Sequence, residues 1–209
     1  MLGSLVYNRH CMKEKGVFSS LRFELDDAIT YGTPKDSFRI ARQGLREAQA
    51  TGRAGEVEYF KGQIKMLQNK FASALEHFDA AIRYNPRDGA SYNDRALCLV
   101  ELGLIDEAFD YFDQGIKVEP DYATIYHNKG WLLNNIGRHT EAIRYFKKAL
   151  KLQPHRPVTY DNLADALFNL GDFQGAKKSY QKVLELLKPR QCCDIRRQII
   201  NKLKELETK

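Results

Sequence analysis

The chain repeats itself every 34 residues. Segments beginning at Gly55, Gly89, Ala123 and Pro157 align without a gap and end at Asp88, Tyr122, Arg156 and Arg190. The eighth column of that alignment holds Gly62, Ala96, Gly130 and Ala164, and the twentieth holds Ala74, Ala108, Ala142 and Ala176. An aromatic fills the twenty-fourth, as Phe78, Phe112, Phe146 and Tyr180. Proline fills the thirty-second, as Pro86, Pro120 and Pro154, and is delayed by one residue to Pro189 in the last segment. Self-similarity at such a period is the mark of one supersecondary unit stacked upon copies of itself.

The columns have a physical reading. Two helices cross closely where small residues face each other, and one aromatic fills the remaining space. Column fifteen holds Asn69, Gly103, Gly137 and Gly171, the residue types that enter the left-handed conformation at low cost and so end a helix. Asp106 and Glu107, then Thr140 and Glu141, restart the chain with side chains suited to a helix N-terminus. Proline lacks an amide hydrogen and disfavours helical geometry in the residue before it, so the second helix stops there. Each unit is predicted to be helix, turn, helix, stop.

This pattern resembles the tetratricopeptide repeat (TPR) family, whose Leu-Gly, Ala, Phe and Pro offsets it reproduces. The resemblance covers residues 55–190 as repeats 55–88, 89–122, 123–156 and 157–190. It implies an all-α, right-handed superhelical solenoid of antiparallel helix pairs. The seventh column departs from the family, reading Lys61, Arg95, Lys129 and Leu163, and the twenty-seventh reads Ala81, Gly115, Ala149 and Val183. The three basic residues are expected to lay their stems on apolar surface with their heads in water.

Outside the array, Thr33-Pro34-Lys35-Asp36 reads as a capped helix start. Phe38, Ala41, Leu45 and Ala48 follow at helical spacing, and Leu21, Leu25, Ala28 and Ile29 mark a helix before them. Residues 22–54 are therefore taken as a degenerate helix-pair repeat, and 1–21 as an irregular or short helical N-terminus. In 191–209, Ile195, Ile199, Leu203 and Leu206 form an apolar stripe with Arg196, Arg197, Lys202, Lys204 and Glu205 placed off it. A C-terminal capping helix is expected, because the last repeat of an array otherwise leaves an apolar face in water.

Composition narrows the function. Hydrophobic residues at 43% exclude a disordered chain, and no apolar run approaches the roughly 20 residues that cross a bilayer. Residues 1–10 lack a secretory apolar core, and Leu2 stands where myristoylation needs glycine, so a cytoplasmic location is expected. Cys11, Cys98, Cys192 and Cys193 include no CxxC pair, and the five histidines share no repeat column. No metal or cofactor is expected. Neither a phosphate-binding glycine loop nor a nucleophile or zinc-hydrolase motif occurs, so no enzymatic activity is expected.

In the family that the repeats resemble, the first helix of each repeat lines a concave groove, chiefly through columns two, five, six, nine, twelve and thirteen. Carried onto this chain, those columns give Tyr59, Gln63, Asn93, Leu97, His127, Asn128, Trp131, Asp161, Asn162 and Asp165 as candidate partner-binding residues. Across all of those columns five residues are acidic and none is Lys or Arg, although the net charge is +6. An acidic groove opposes phosphate binding, so nucleic acid is not an expected partner. The expected function is a protein-interaction adaptor or scaffold holding a neutral-to-basic segment of another protein. Trp131, Tyr59 and Leu97 would anchor it, Asp161 and Asp165 would supply complementary charge, and the asparagines would contact its backbone. The two-carboxylate clamp for chaperone tails is not expected, because Asn93, Val158 and Asn162 stand where it needs cations. A self-assembling TPR protein, forming a homo-oligomer, is the alternative, and a helical-repeat RNA binder a more distant one.

Overall fold

The structure, a computed structural model, describes residues 16–187 and 193–206. Helices account for all of its regular structure among those residues: α1 Val17–Tyr31, α2 Pro34–Ala50, α3 Ala54–Leu67, α4 Phe71–Tyr84, α5 Gly89–Glu101, α6 Ile105–Val118, α7 Ala123–Asn135, α8 His139–Leu152, α9 Pro157–Asn169, α10 Phe173–Leu186 and α11 Cys193–Leu206. The chain divides into two units. Of the described residues, 16–87 and 98–105 belong to the first, and 88–97, 106–187 and 193–206 to the second, the division passing through α5. Among the described residues no helix is long and apolar enough to cross a membrane.

The repeat columns become contacts between paired helices. Phe78, Phe112 and Phe146 are fully buried, as are Ala74, Ala108, Ala142 and Ala176. A Cβ built on Gly62 would stand 2.7 Å from the Phe78 ring, and one on Gly130 would stand 2.9 Å from the Phe146 ring. The aromatic thus occupies the space that the small residue leaves. Between the two helices of each pair, Asn69, Gly103, Gly137 and Gly171 have φ of 57°, 79°, 82° and 79°, the left-handed conformation that reverses the chain. The second helices α4, α6 and α8 end before Pro86, Pro120 and Pro154.

In the first unit α2 begins at a Thr33 cap whose Oγ1 accepts from the Asp36 amide at 3.2 Å. Gly44 of α2 lies against Phe60 of α3 so closely that a Cβ there would come within 2.3 Å of the ring. Helix α1 starts at Val17, ahead of the boundary drawn at residue 22, so residues 17–21 are helical. Cys11, Pro189 and Cys192 fall outside the described residues.

The basic column needs correction. Lys129 is buried, not headed into water: its Nζ pairs with Asp113 and lies 4.9 Å from the Tyr145 ring centroid. Arg95 stacks over Tyr111 at 3.8 Å. These cations face aromatic rings whose π-electron density offsets part of the lost hydration.

In the second unit, Ile195, Ile199, Leu203 and Leu206 of α11 pack on the cluster that contains Tyr180, Val183 and Leu187. Arg196 donates from Nη1 to the carbonyls of Leu184 and Leu187, both at 2.8 Å, closing the C-terminal end of α10.

Candidate functional site

The first helices of the second unit, α5, α7 and α9, carry most of the candidate residues, and side chains about one repeat apart meet across them. Asn128 of α7 donates from Nδ2 to Oδ1 of Asn93 on α5 at 2.9 Å, and Asn93 donates in turn to Asp94 at 2.8 Å. On the other side of α7, His127 Nδ1 lies 2.9 Å from Thr159 Oγ1 on α9, and Asn162 Nδ2 lies 3.5 Å from His127 Nε2. With Asn162 donating to Nε2, the ring proton belongs on Nδ1, which donates to Thr159. Arg156 donates to Thr124 Oγ1 at 2.8 Å, completing a polar seam between the repeats.

Most of that seam is sealed, Thr159, Thr124 and Asp94 being buried as well as the two residues at its centre. Asn93 is 1% exposed and His127 is 6% exposed. Burial, with Arg156 close by, pushes the His127 imidazolium down to a pKa of about 3, so the ring is neutral near pH 7. Asn128, Asn162, Trp131 and Leu97 are half-buried. Trp131 packs one side on the cluster of Leu133, Phe146 and Leu163. The face therefore has a rigid, satisfied floor from which two amides and an indole emerge.

The acidic pair behaves differently from the expectation of a free complement to a basic partner. Lys202 of α11 reaches α9 and donates from Nζ to Asp161 at 3.0 Å and to Asp165 at 2.9 Å. Tyr180 donates its hydroxyl to Asp165 as well. Burial pushes the Asp161 carboxyl above its ordinary range against the pull of Lys202. Burial acts to lower the Lys202 ammonium, yet the two aspartates together hold it above its usual value. The complementary charge comes from within the chain.

Tyr59 and Gln63 belong to the first unit. Each is 4% exposed, with Gln63 donating to the Tyr59 hydroxyl at 3.1 Å. Arg22 of α1 covers the Tyr59 ring at 3.7 Å while pairing with Glu56 at 3.1 Å. The structure thus brings Asn93, His127, Asn128 and Asn162 together, with Trp131 one helical turn further along α7, and holds Tyr59 and Gln63 in the first unit under their own cover.

The repeat alignment missed Thr159, Arg156 and Lys202. Lys202 had a faint signal: at 100° per residue it falls at the edge of the stripe made by Ile195, Ile199, Leu203 and Leu206, about 20° beyond Ile195. Thr159 and Arg156 lie on columns without a binding role in the groove pattern, and only the packing of α7 on α9 shows them. Among the described residues no group of His, Cys, Asp or Glu side chains could hold a metal ion.

Three family profiles, each described as tetratricopeptide repeat, match residues 59–117, 89–155 and 137–188. The chain belongs to the tetratricopeptide repeat family. Its TPR fold is shared with a solved thermophilic TPR protein of Thermus thermophilus at TM-score 0.71 and 21% identity, over 88% of this chain and 96% of that one. The first TPR of Spaghetti (RPAP3), solved with the HSP90 peptide SRMEEVD, aligns at TM-score 0.52 and 21% identity over 58% of this chain and 92% of that one. A 47-residue stretch is 40% identical to the Hsp70-Hsp90 organizing protein of Triticum aestivum, covering 22% of this chain and only 8% of that protein.

Proposed function

We propose that this TPR chain is a non-catalytic adaptor that holds a segment of another protein against the α5, α7 and α9 face of its second unit. The observation that carries this reading is the pairing of Asn128 with Asn93 and of Asn162 with His127. It fixes two half-buried amides one repeat apart, each with hydrogen-bonding capacity left for a peptide backbone. Trp131 beside them offers apolar area and an indole N–H, the combination favoured at binding hot spots. Because Lys202 already pairs with Asp161 and Asp165 and offsets part of their charge, the segment is recognised through its backbone and one apolar side chain more than through a basic charge.

The test is capture from cell extract by Trp131→Glu and by Asn128→Ala/Asn162→Ala, each checked for an unchanged helical signal. Loss of the captured protein by both is expected. Undiminished capture by both rejects the face.

A second reading has support in the comparisons. The organizing-protein stretch and the HSP90-peptide complex of the RPAP3 repeat favour a chaperone tail as ligand. Against it, the columns that would grip two carboxylates hold Asn93, Val158 and Asn162, and the last two lie beside a pair of aspartates. Titration with the peptide SRMEEVD decides: no saturable binding is expected, and saturation would replace the backbone-led reading by a carboxylate-led one.

A further inference from the structure

We propose that the exposed face of α2, in the first unit, is a second protein-docking surface that accepts an acidic helical segment. Lys35, Arg39, Arg42 and Arg46 stand at intervals of four, three and four residues, which puts them on one side of a helix and spreads them over roughly 16 Å at 1.5 Å per residue. All four are exposed. The opposite side of α2, through Ser37, Ile40, Ala41, Gly44 and Ala48, is buried.

The stripe is nearly unpaired. Asp36 reaches Arg39 only at 4.0 Å, and Arg42 stacks loosely over Phe38 at 5.7 Å. Among the described residues no ion pair involves Lys35, Arg42 or Arg46. Together with Asp36 and Phe38, the four cations border a shallow open depression of about 490 Å³. Counting from the fully buried Ala41, which matches Ala74, Ala108 and Ala142, Arg42 falls in the column of Leu75, Phe109 and Ile143. Three of the four regular repeats hold an apolar residue there and the fourth holds Lys177, so the repeat pattern does not require a cation at Arg42.

Charge complementarity selects an anion, and the spacing selects its form. A helix bearing carboxylates at i, i+4, i+7 and i+11 presents them at the same intervals as the cations, and three of the four cations are guanidinium forks suited to two-point carboxylate contacts. A nucleic acid backbone carries closely spaced phosphates. It would run those charges past Asp36 and Glu47 at the borders, with Phe38 alone to stack a base. A membrane surface would need apolar side chains interleaved with the cations on the exposed face, and of the residues that border the depression Phe38 alone is apolar and is half-buried.

The experiment uses the full chain and fluorescence anisotropy at low and physiological ionic strength. The probes are a helical peptide with glutamates at i, i+4, i+7 and i+11, an isomer with the same glutamates spread around the helix, a short single-stranded RNA, and vesicles containing phosphatidylserine. The in-register peptide is expected to bind tightest. It should weaken as salt rises and lose about 10-fold or more in affinity with Arg39→Glu/Arg42→Glu, a loss equivalent to about 1.4 kcal/mol. Lys35→Glu/Arg46→Glu, at the two ends of the stripe, should act in the same direction, and both variants should keep the helical signal because their sites are exposed. Equal binding of the scattered isomer, tighter binding of RNA or vesicles, or no change in either variant overturns the proposal. So does a concentration-dependent doubling of mass in light scattering that the same substitutions abolish, since that makes a second copy the occupant. None of these readouts involves Trp131 or the asparagines, so failure here and failure of the α5, α7 and α9 face are separate results.

Discussion

At His127 the desolvation of the imidazolium outweighs everything that could stabilise its charge, and this ties stability to pH. The folded-state pKa of about 3 lies below the 6.5 of the free side chain. Between those values the unfolded chain binds a proton that the folded chain does not, so stability is full above pH 6.5 and falls as the pH drops toward 3. Each pH unit is equivalent to about 1.4 kcal/mol. Urea unfolding at about pH 7.5 and about pH 5 should therefore show an acid loss of about 2 kcal/mol in the wild type, and a smaller one in His127→Gln. Equal losses would place the imidazole in solvent. Lys202 offers a second test at this scale. Lys202→Met leaves Asp161 and Asp165 facing each other, and because all three side chains are partly exposed the cost should be about 1–2 kcal/mol. In an Asp161→Asn/Asp165→Asn background most of that cost should vanish, as a double-mutant cycle measures it.

At the scale of the helix pair, the small and aromatic columns should dominate stability. Phe112→Ala empties a fully buried site and should cost about 3–5 kcal/mol. Gly130→Ala must push its new methyl against the Phe146 ring at 2.9 Å and the Ala142 carbonyl at 3.3 Å, and should cost about 1–3 kcal/mol. Thermal melts of the two variants check both values. These elements are legible in the sequence because the same constraint recurs in every repeat: Gly62 and Phe78 predict Gly130 and Phe146, and Asn69 predicts the three glycines that share its turn. What occurs only once is not legible. The stems of Lys129 and Arg95 suit a solvated role, while their positions over Tyr145 and Tyr111 depend on how neighbouring helices approach. Its charge sets Lys202 apart from the apolar stripe, and its angle places it only at the stripe's edge, beside Ile195. The seam pairs column six with column five of the preceding repeat, as Asn128 with Asn93 and Asn162 with His127, and adds Thr159 from column three; the paired residues are legible column by column, their contacts are not.

For the molecule as a whole, two different surfaces fall to two units. The second unit offers half-buried amides and one indole above a satisfied polar floor, and the first offers cations along α2. An adaptor with both would recognise one partner chiefly through its backbone and another through its carboxylates. Such a division of labour needs no catalytic group, and the charge excess of the chain need not enter the amide-lined face. The most direct test of the central claim is photocrosslinking from position 131, with a photoreactive phenylalanine replacing Trp131 in the full chain, and from position 144 on the exposed side of α8 as the control. One partner segment should be captured from position 131, not from 144, and be lost when Asn128→Ala/Asn162→Ala is added. Capture that is equal from both positions, or that survives loss of both amides, would contradict the assignment of this face.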